Sequence, residues 1–97
     1  MNIPLEIKGI LKNPVDSCGR NKNGRVWITN KNHRQLVKSK GLYLFVIYDY
    51  KNDVYEYDIK DYTDIEICYT LFIAAHRINV NYGLNTKISY KKLLELL

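Results

Sequence analysis

Cysteine, proline and glycine are scarce in this sequence, which carries two, two and five of them in 97 residues. Cys18 and Cys68 are too few for a disulfide scaffold, and neither lies in a CxxC or Cys/His ligand spacing, which excludes structural zinc. Long hydrophobic runs are missing as well. The longest, Leu42–Tyr48, falls far short of the roughly 18–20 residues that a membrane span needs. Glu6 and Lys8 interrupt the stretch where a signal peptide would be continuously apolar, so the expected location is the cytoplasm, with no membrane association.

What is present is enough for a core. Apolar residues make up 46% of the chain and aromatic residues 12%, nine of them Tyr, which argues against disorder. The length predicts one domain spanning residues 1–97. The net charge of +5 is unevenly spread: residues 1–41 carry +7, residues 42–70 carry −5 and residues 71–97 carry +3. A basic N-terminal part suits a polyanion, while the acidic middle faces elsewhere or meets a second protein.

Residues 3–8 alternate, with Ile3, Leu5 and Ile7 expected on a buried face and Glu6 and Lys8 on a solvent face. Pro4 places it at an edge or a strand start. Residues 12–24 read as a long loop. Residues 25–29 form a second strand, and Asn30 or Asn32 caps a helix that stops at Gly41. Residues 42–50 form the strongest strand. Asn52-Asp53 then makes a tight turn into an antiparallel partner at 54–59. Thr63-Asp64-Ile65-Glu66 is a capping box, and apolar residues from Ile65 to Ile78 follow at helical spacing, so a helix is predicted there, ending at Gly83. Ser89 caps a last helix over 90–97. The fold class is therefore α+β (α/β-like), a mixed or antiparallel sheet of about four strands with two or three helices, in the order β-β-α-β-β-α-α.

Chemistry enters with Glu6-Ile7-Lys8. A strand sets these two side chains on one side, about 6.5–7 Å apart along the chain, so a carboxylate can hold a metal while an ammonium approaches the water it activates. After Glu6-Ile7-Lys8-Gly9 come a basic loop, the strand at 25–29, the helical segment Asn30-Lys31-Asn32-His33-Arg34-Gln35-Leu36 and the apolar strand Gly41-Leu42-Tyr43-Leu44-Phe45-Val46-Ile47-Tyr48-Asp49. This order resembles the second half of the PD-(D/E)XK nuclease superfamily, in which (D/E)xK lies on a core strand, and the likeness covers residues 1 to about 60. The closing Lys87-Ile88-Ser89-Tyr90-Lys91-Lys92-Leu93-Leu94 is similar to a C-terminal segment of some restriction-type members. The resemblance implies that Glu6 is the metal-binding acid and Lys8 the motif lysine, and that Gln35 falls near a helical Gln of some subfamilies. The family also uses an Asp on the strand before this motif and commonly a Glu on an earlier helix. Five residues precede Glu6, so the departure points to a reduced, non-catalytic relative or to an acid supplied by a second subunit.

Asp49 with Asp58-Ile59-Lys60 is a second placement of the same pattern. In the predicted hairpin Asp49, Glu56, Asp58 and Lys60 share one face, and a Mg²⁺ or Mn²⁺ ion between Asp49 and Asp58 is chemically reasonable. The catalytic candidates are thus Glu6, Lys8, Asp49, Asp58 and Lys60, with Glu6, Asp49 and Asp58 as metal ligands. Lys12, Arg20, Lys22, Arg25, Lys31, Arg34, Lys38 and Lys40, interleaved with Asn and with Gln35, form the nucleic-acid-binding candidates, since such side chains neutralise phosphates and hydrogen-bond base edges. Trp27 and the tyrosines offer faces on which exposed bases could stack, but Trp27 and Tyr48/Tyr57 are expected as core or half-buried residues, and Cys68 as a buried thiol. His33 and His76 have no sequence neighbours that suggest a triad, and the position of His76 near a predicted helix end is explained by the dipole.

The leading expectation is a nucleic-acid-binding protein on a nuclease-like scaffold, with Mg²⁺- or Mn²⁺-dependent phosphodiester cleavage as its catalytic version. The alternative is a small regulatory or inhibitory protein, of the kind carried by viruses and mobile elements, that docks on another protein through its charged faces. The edge strand and tyrosines offer pairing surface for a homodimer.

Overall fold

A computed structural model describes residues 2–14, 18–20, 22–50, 65–80 and 85–97. The elements are β1 (Leu5–Leu11), β2 (Arg25–Ile28), α1 (Asn30–Lys38), β3 (Leu42–Tyr50), β4 (Ile65–Ala74), a 3-10 turn at Ala75–Arg77, β5 (Thr86–Ser89) and α2 (Tyr90–Leu94). They form a mixed sheet in the order β1-β3-β4 and a separate β2-β5 ribbon. β1 runs parallel to β3, with Glu6 opposite Tyr43 and Ile10 opposite Ile47, whereas β4 runs antiparallel to β3.

Strand β3 is apolar in nearly every position, the pattern of a strand with apolar surroundings on both faces. Tyr43, Phe45 and Ile47 point to one side and are buried there with Ile10, Leu71 and Ile73. Leu36 of α1, Val26 and Ile28 of β2, Ile88 of β5 and Tyr90 and Leu93 of α2 complete the same core. The other side of the sheet carries Leu5, Ile7, Leu42, Leu44, Val46, Tyr48, Ile65, Ile67 and Phe72, and there Ile7 is 63% and Phe72 61% exposed.

Three local devices hold the helices in place. The end of α1 is a Schellman motif, in which Gly41 N–H donates to the Leu36 carbonyl at 2.8 Å and Lys40 N–H to that of Val37 at 3.0 Å. Its left-handed residue is Lys40, at φ 55°, and not the glycine that follows. Gly24 lies so close to the Leu11 carbonyl that a Cβ there would overlap it. Ser89 caps α2, its hydroxyl accepting from Lys92 N–H at 3.3 Å.

Several expectations need correction. The helix expected from Ile65 is strand β4. Its Ile, Thr, Tyr and Phe residues favour a pleated surface, and an apolar run on two faces satisfies helical spacing by chance. Cys68 is consequently exposed, at an irregularity in the β3–β4 register between Ile47 and Tyr48. The antiparallel partner of β3 is β4, so Asp49 lies opposite Glu66. The hairpin strand at 54–59, with Glu56, Asp58 and Lys60, and the capping residue Thr63 lie outside the described residues. The N-cap of α1 is Thr29, not Asn30 or Asn32, and its side chain makes no capping bond. The faces of β1 are inverted: Glu6 and Lys8 lie on the side that Ile10 buries, and Leu5 and Ile7 on the open one.

Candidate functional site

The inversion of β1 brings the ExK pair inward. Alternation along the strand puts Glu6, Lys8 and Ile10 on one side, and burial of Ile10 fixes which side that is. Glu6 and Lys8 are half-buried and form an ion pair, Nζ to Oε1 3.2 Å. Above Glu6, α1 contributes Asn32, Gln35, Leu36 and Ser39, which with Pro4 line a cleft of about 210 Å³. Gln35 therefore joins Glu6 at one site, although 29 residues separate them in sequence.

Beneath the cleft lies Tyr43, fully buried and opposite Glu6 in the β1–β3 register. Burial, and secondarily the negative charge of Glu6, pushes its phenol up to about 12. Its hydroxyl is 2.9 Å from His33 Nδ1, and the two rings stack with centroids 5.8 Å apart. Burial lowers the His33 pKa from the ordinary 6.5, with a hydrogen bond to the Ile78 backbone opposing the shift. A neutral imidazole thus ties α1 to β3 and to the segment after β4. Sequence reasoning set His33 aside. The available signal was its spacing, because His33, Leu36 and Val37 fall on one stripe of α1.

Asp49 is remote from this cleft. It lies six residues beyond Tyr43 along β3, about 20 Å from the position opposite Glu6. Its carboxylate accepts from the Asn13 amide at 3.3 Å and from Tyr50 N–H at 2.9 Å. Glu6 and Asp49 are therefore not joint ligands of one ion. Among the described residues no three His, Cys, Asp or Glu side chains converge as a metal group. The Glu6 cleft offers one carboxylate, already paired with Lys8, and two carboxamides. An octahedral Mg²⁺ needs further oxygen donors, which the described residues do not supply.

The basic candidates spread over three surfaces. Lys12, Arg20 and Lys22 belong to the loop after β1, whose limbs are joined by Lys22 N–H to the Pro14 carbonyl at 2.8 Å and Gly24 N–H to that of Lys12 at 3.0 Å. Lys31, Arg34, Gln35 and Lys38 lie along the exposed side of α1, followed by Lys40 in its terminal turn. Arg25 is on the outer face of the β2–β5 ribbon with Trp27, which is 54% exposed and not part of the core. Its indole faces Lys87 instead, Nζ lying 4.4 Å from the ring centroid. Val26 and Ile28 take the two inward positions of this four-residue strand, which leaves Trp27 outside.

The chain matches the PD-(D/E)XK nuclease superfamily domain over residues 2–82. It belongs to that superfamily. The match takes in β1 to β4, including the Glu6-Ile7-Lys8 strand, α1 and the parallel strand β3 that α1 precedes. No curated protein and no solved structure matches the chain. Within this PD-(D/E)XK chain Glu6 pairs with Lys8 and shares its cleft with Gln35, and no described helix is long and apolar enough to cross a membrane.

Proposed function

We propose that this chain is a nucleic-acid-binding protein built on a PD-(D/E)XK nuclease scaffold, residues 1–97 acting as one unit in the cytoplasm. The observation that supports this reading is the inward-facing Glu6, paired with Lys8, which shares a cleft with Gln35 on a helix whose exposed side is basic. Lys12, Arg20, Lys22, Arg25, Lys31, Arg34, Lys38 and Lys40 supply counter-charge for phosphates, a sequence-independent attraction that falls steeply with salt. In a catalytic version Glu6 is the acid of the motif, Lys8 holds a proton near the scissile phosphate and Gln35 orients the strand. Asp49, Asp58 and Lys60 are the competing placement. Because the described donors fall short of a Mg²⁺ or Mn²⁺ site, no step is assigned to a metal.

A gel series tests this reading: labelled single-stranded, duplex and branched DNA and RNA at low and high salt, with EDTA or Mn²⁺, against Glu6→Ala, Asp49→Ala and Asp58→Ala. A salt-sensitive shift supports binding. Mn²⁺-dependent cleavage lost in one variant makes it a nuclease and chooses between the two placements. Absence of any shift overturns the reading.

The second reading, protein docking, is favoured by the open face of the three-stranded sheet. Its occupant is a second copy of this chain. The face carries no charged side chain among the described residues, so two copies meet there without like-charge repulsion. Leu5, Ile7, Ile65, Ile67 and Phe72 are each about half or more exposed on it, an apolar patch suited to pairing.

A further inference from the structure

Beyond the Glu6 cleft, on the far flank of α1, two depressions adjoin. One, of about 360 Å³, lies between α1 and the segment following β4, with Arg34, Lys38 and His76 on its walls. The other, of about 420 Å³, lies between that segment and the β5–α2 unit, where Arg77, Lys87 and Lys92 reach into it. Ile78 and Asn79 border both, so the two depressions adjoin across this segment and together outline a track. Among the described residues no carboxylate lines either part. Glu95 is adjacent to the second, 3.2 Å from Lys92 Nζ in a pair that is two-thirds exposed at both ends. Lys87 stands at the end of the track and places its ammonium over the exposed Trp27 ring.

We propose that this track holds a single-stranded nucleic acid, with phosphates along Arg34, Lys38, Arg77, Lys87 and Lys92 and one base stacked on Trp27. The inference rests on the nucleic-acid reading above and names its substrate class and path. Three separate stretches of sequence, 34–38, 76–79 and 87–92, bring cations to two adjoining depressions, a juxtaposition that solubility does not require. Trp27 adds what phosphate binding alone lacks. An unpaired base offers an open π-face to an indole, whereas bases in a duplex are stacked on each other. Lys87 moves from the ring to a phosphate as the base takes its place.

Trp27 is the sole tryptophan of the chain, so its intrinsic fluorescence reports on this site alone. The experiment titrates dT12 and a 12-base-pair duplex against wild type, Trp27→Leu, Trp27→Phe, Lys87→Glu/Lys92→Glu and, for the loop after β1, Lys12→Glu/Lys22→Glu, following anisotropy and indole emission. The expected results are quenching of Trp27 by dT12 and about tenfold weaker dT12 binding by Trp27→Leu with little change for duplex. Trp27→Phe should recover most of that loss, and Lys87→Glu/Lys92→Glu should bind dT12 at least tenfold more weakly. Saturable dT12 binding with unchanged indole emission, lost in the loop variant and retained in the Trp27 and Lys87/Lys92 variants, overturns the track and leaves the nucleic-acid reading standing. No binding of either probe by wild type overturns both.

Discussion

The two faces of the three-stranded sheet are built from the same residue types and meet opposite fates. Tyr43, Phe45 and Ile47 are covered by two helices and a ribbon, while Leu42, Leu44 and Val46, their immediate neighbours in β3, lie half-open beside exposed Ile7 and Phe72. Hydrophobicity alone does not decide which face closes. Connectivity does: the chain leaves β1, forms β2 and α1 on one side and returns as β3, so the first crossover covers that side. The polar residues of β1 follow the closed side and are thereby delivered, half-buried, to α1.

The largest expected effect tests this difference directly. Phe45→Ala should cost about 3–5 kcal/mol in denaturant unfolding, since it empties a fully buried site, whereas Phe72→Ala should cost less than about 1 kcal/mol at low protein concentration. If two copies pair on the open face, as proposed, Phe72→Ala should lose more at high concentration, where pairing stabilises the wild type. Equal costs for the two at all concentrations would remove the distinction between the faces. Next comes Gly24→Ala, where the new methyl meets the Leu11 carbonyl and forces β1 and β2 apart on the closed side. A loss of roughly 3 kcal/mol is expected, read as a drop in the urea midpoint with little change in slope.

Much of the closed face was legible from sequence, and the open face explains most of what was not. Strand β3 matched its apolar run residue for residue, and the Ser89 cap was evident because a short polar side chain precedes the Leu93-Leu94 pair. Strand β4 was misassigned for a physical reason. A strand with apolar residues on both faces has no period of its own, so Ile65, Leu71, Phe72 and Ala75 also fit a helix, and a capping box tipped the choice. For β1, counting apolar residues favoured Ile3, Leu5 and Ile7, but one residue, Ile10, decided the register from the strand's far end. The surroundings of Glu6 are only half legible: alternation pairs it with Lys8, while the arrival of Gln35 depends on how α1 crosses the sheet. Arg77, Lys87 and Lys92 come together at the proposed track only through the fold, because they lie on three segments separated in sequence.

A smaller effect probes the closed face through protons. Burial holds His33 below its ordinary pKa, so the folded state favours the neutral ring while the unfolded chain binds a proton near pH 6.5. The contribution of His33 to stability is therefore complete above pH 6.5 and is lost as pH falls below it towards the lowered folded value. Tyr43 acts at the other extreme. Its phenol, raised to about 12, stays protonated after the unfolded chain begins to ionise near 10, so stability declines as pH rises from 10 towards 12. Urea midpoints measured from pH 5 to 8 should fall on the acid side in wild type and flatten in His33→Gln. An unchanged acid slope in that variant would remove His33 from the account.

The smallest effect comes from the turn that lays α1 over the closed face. Lys40 occupies the left-handed region at φ 55°, where its Cβ crowds the following carbonyl, and the adjacent Gly41 does not relieve this because it is Lys40 that carries the positive φ. Lys40→Gly should therefore stabilise the protein by about 0.5–1 kcal/mol, the strain removed exceeding the entropy that glycine adds to the unfolded chain. Moving the glycine by one place, with Gly41→Ala, should do the opposite. A Cβ at Gly41 collides with the Leu36 side chain and approaches the Pro4 carbonyl at 3.0 Å, displacing α1 from the strand that carries Glu6. Thermal unfolding of the two variants reads the sign. If both destabilise alike, the turn is set by packing against Leu36 and not by backbone preference at Lys40, and the closed face owes its helix to side chains alone.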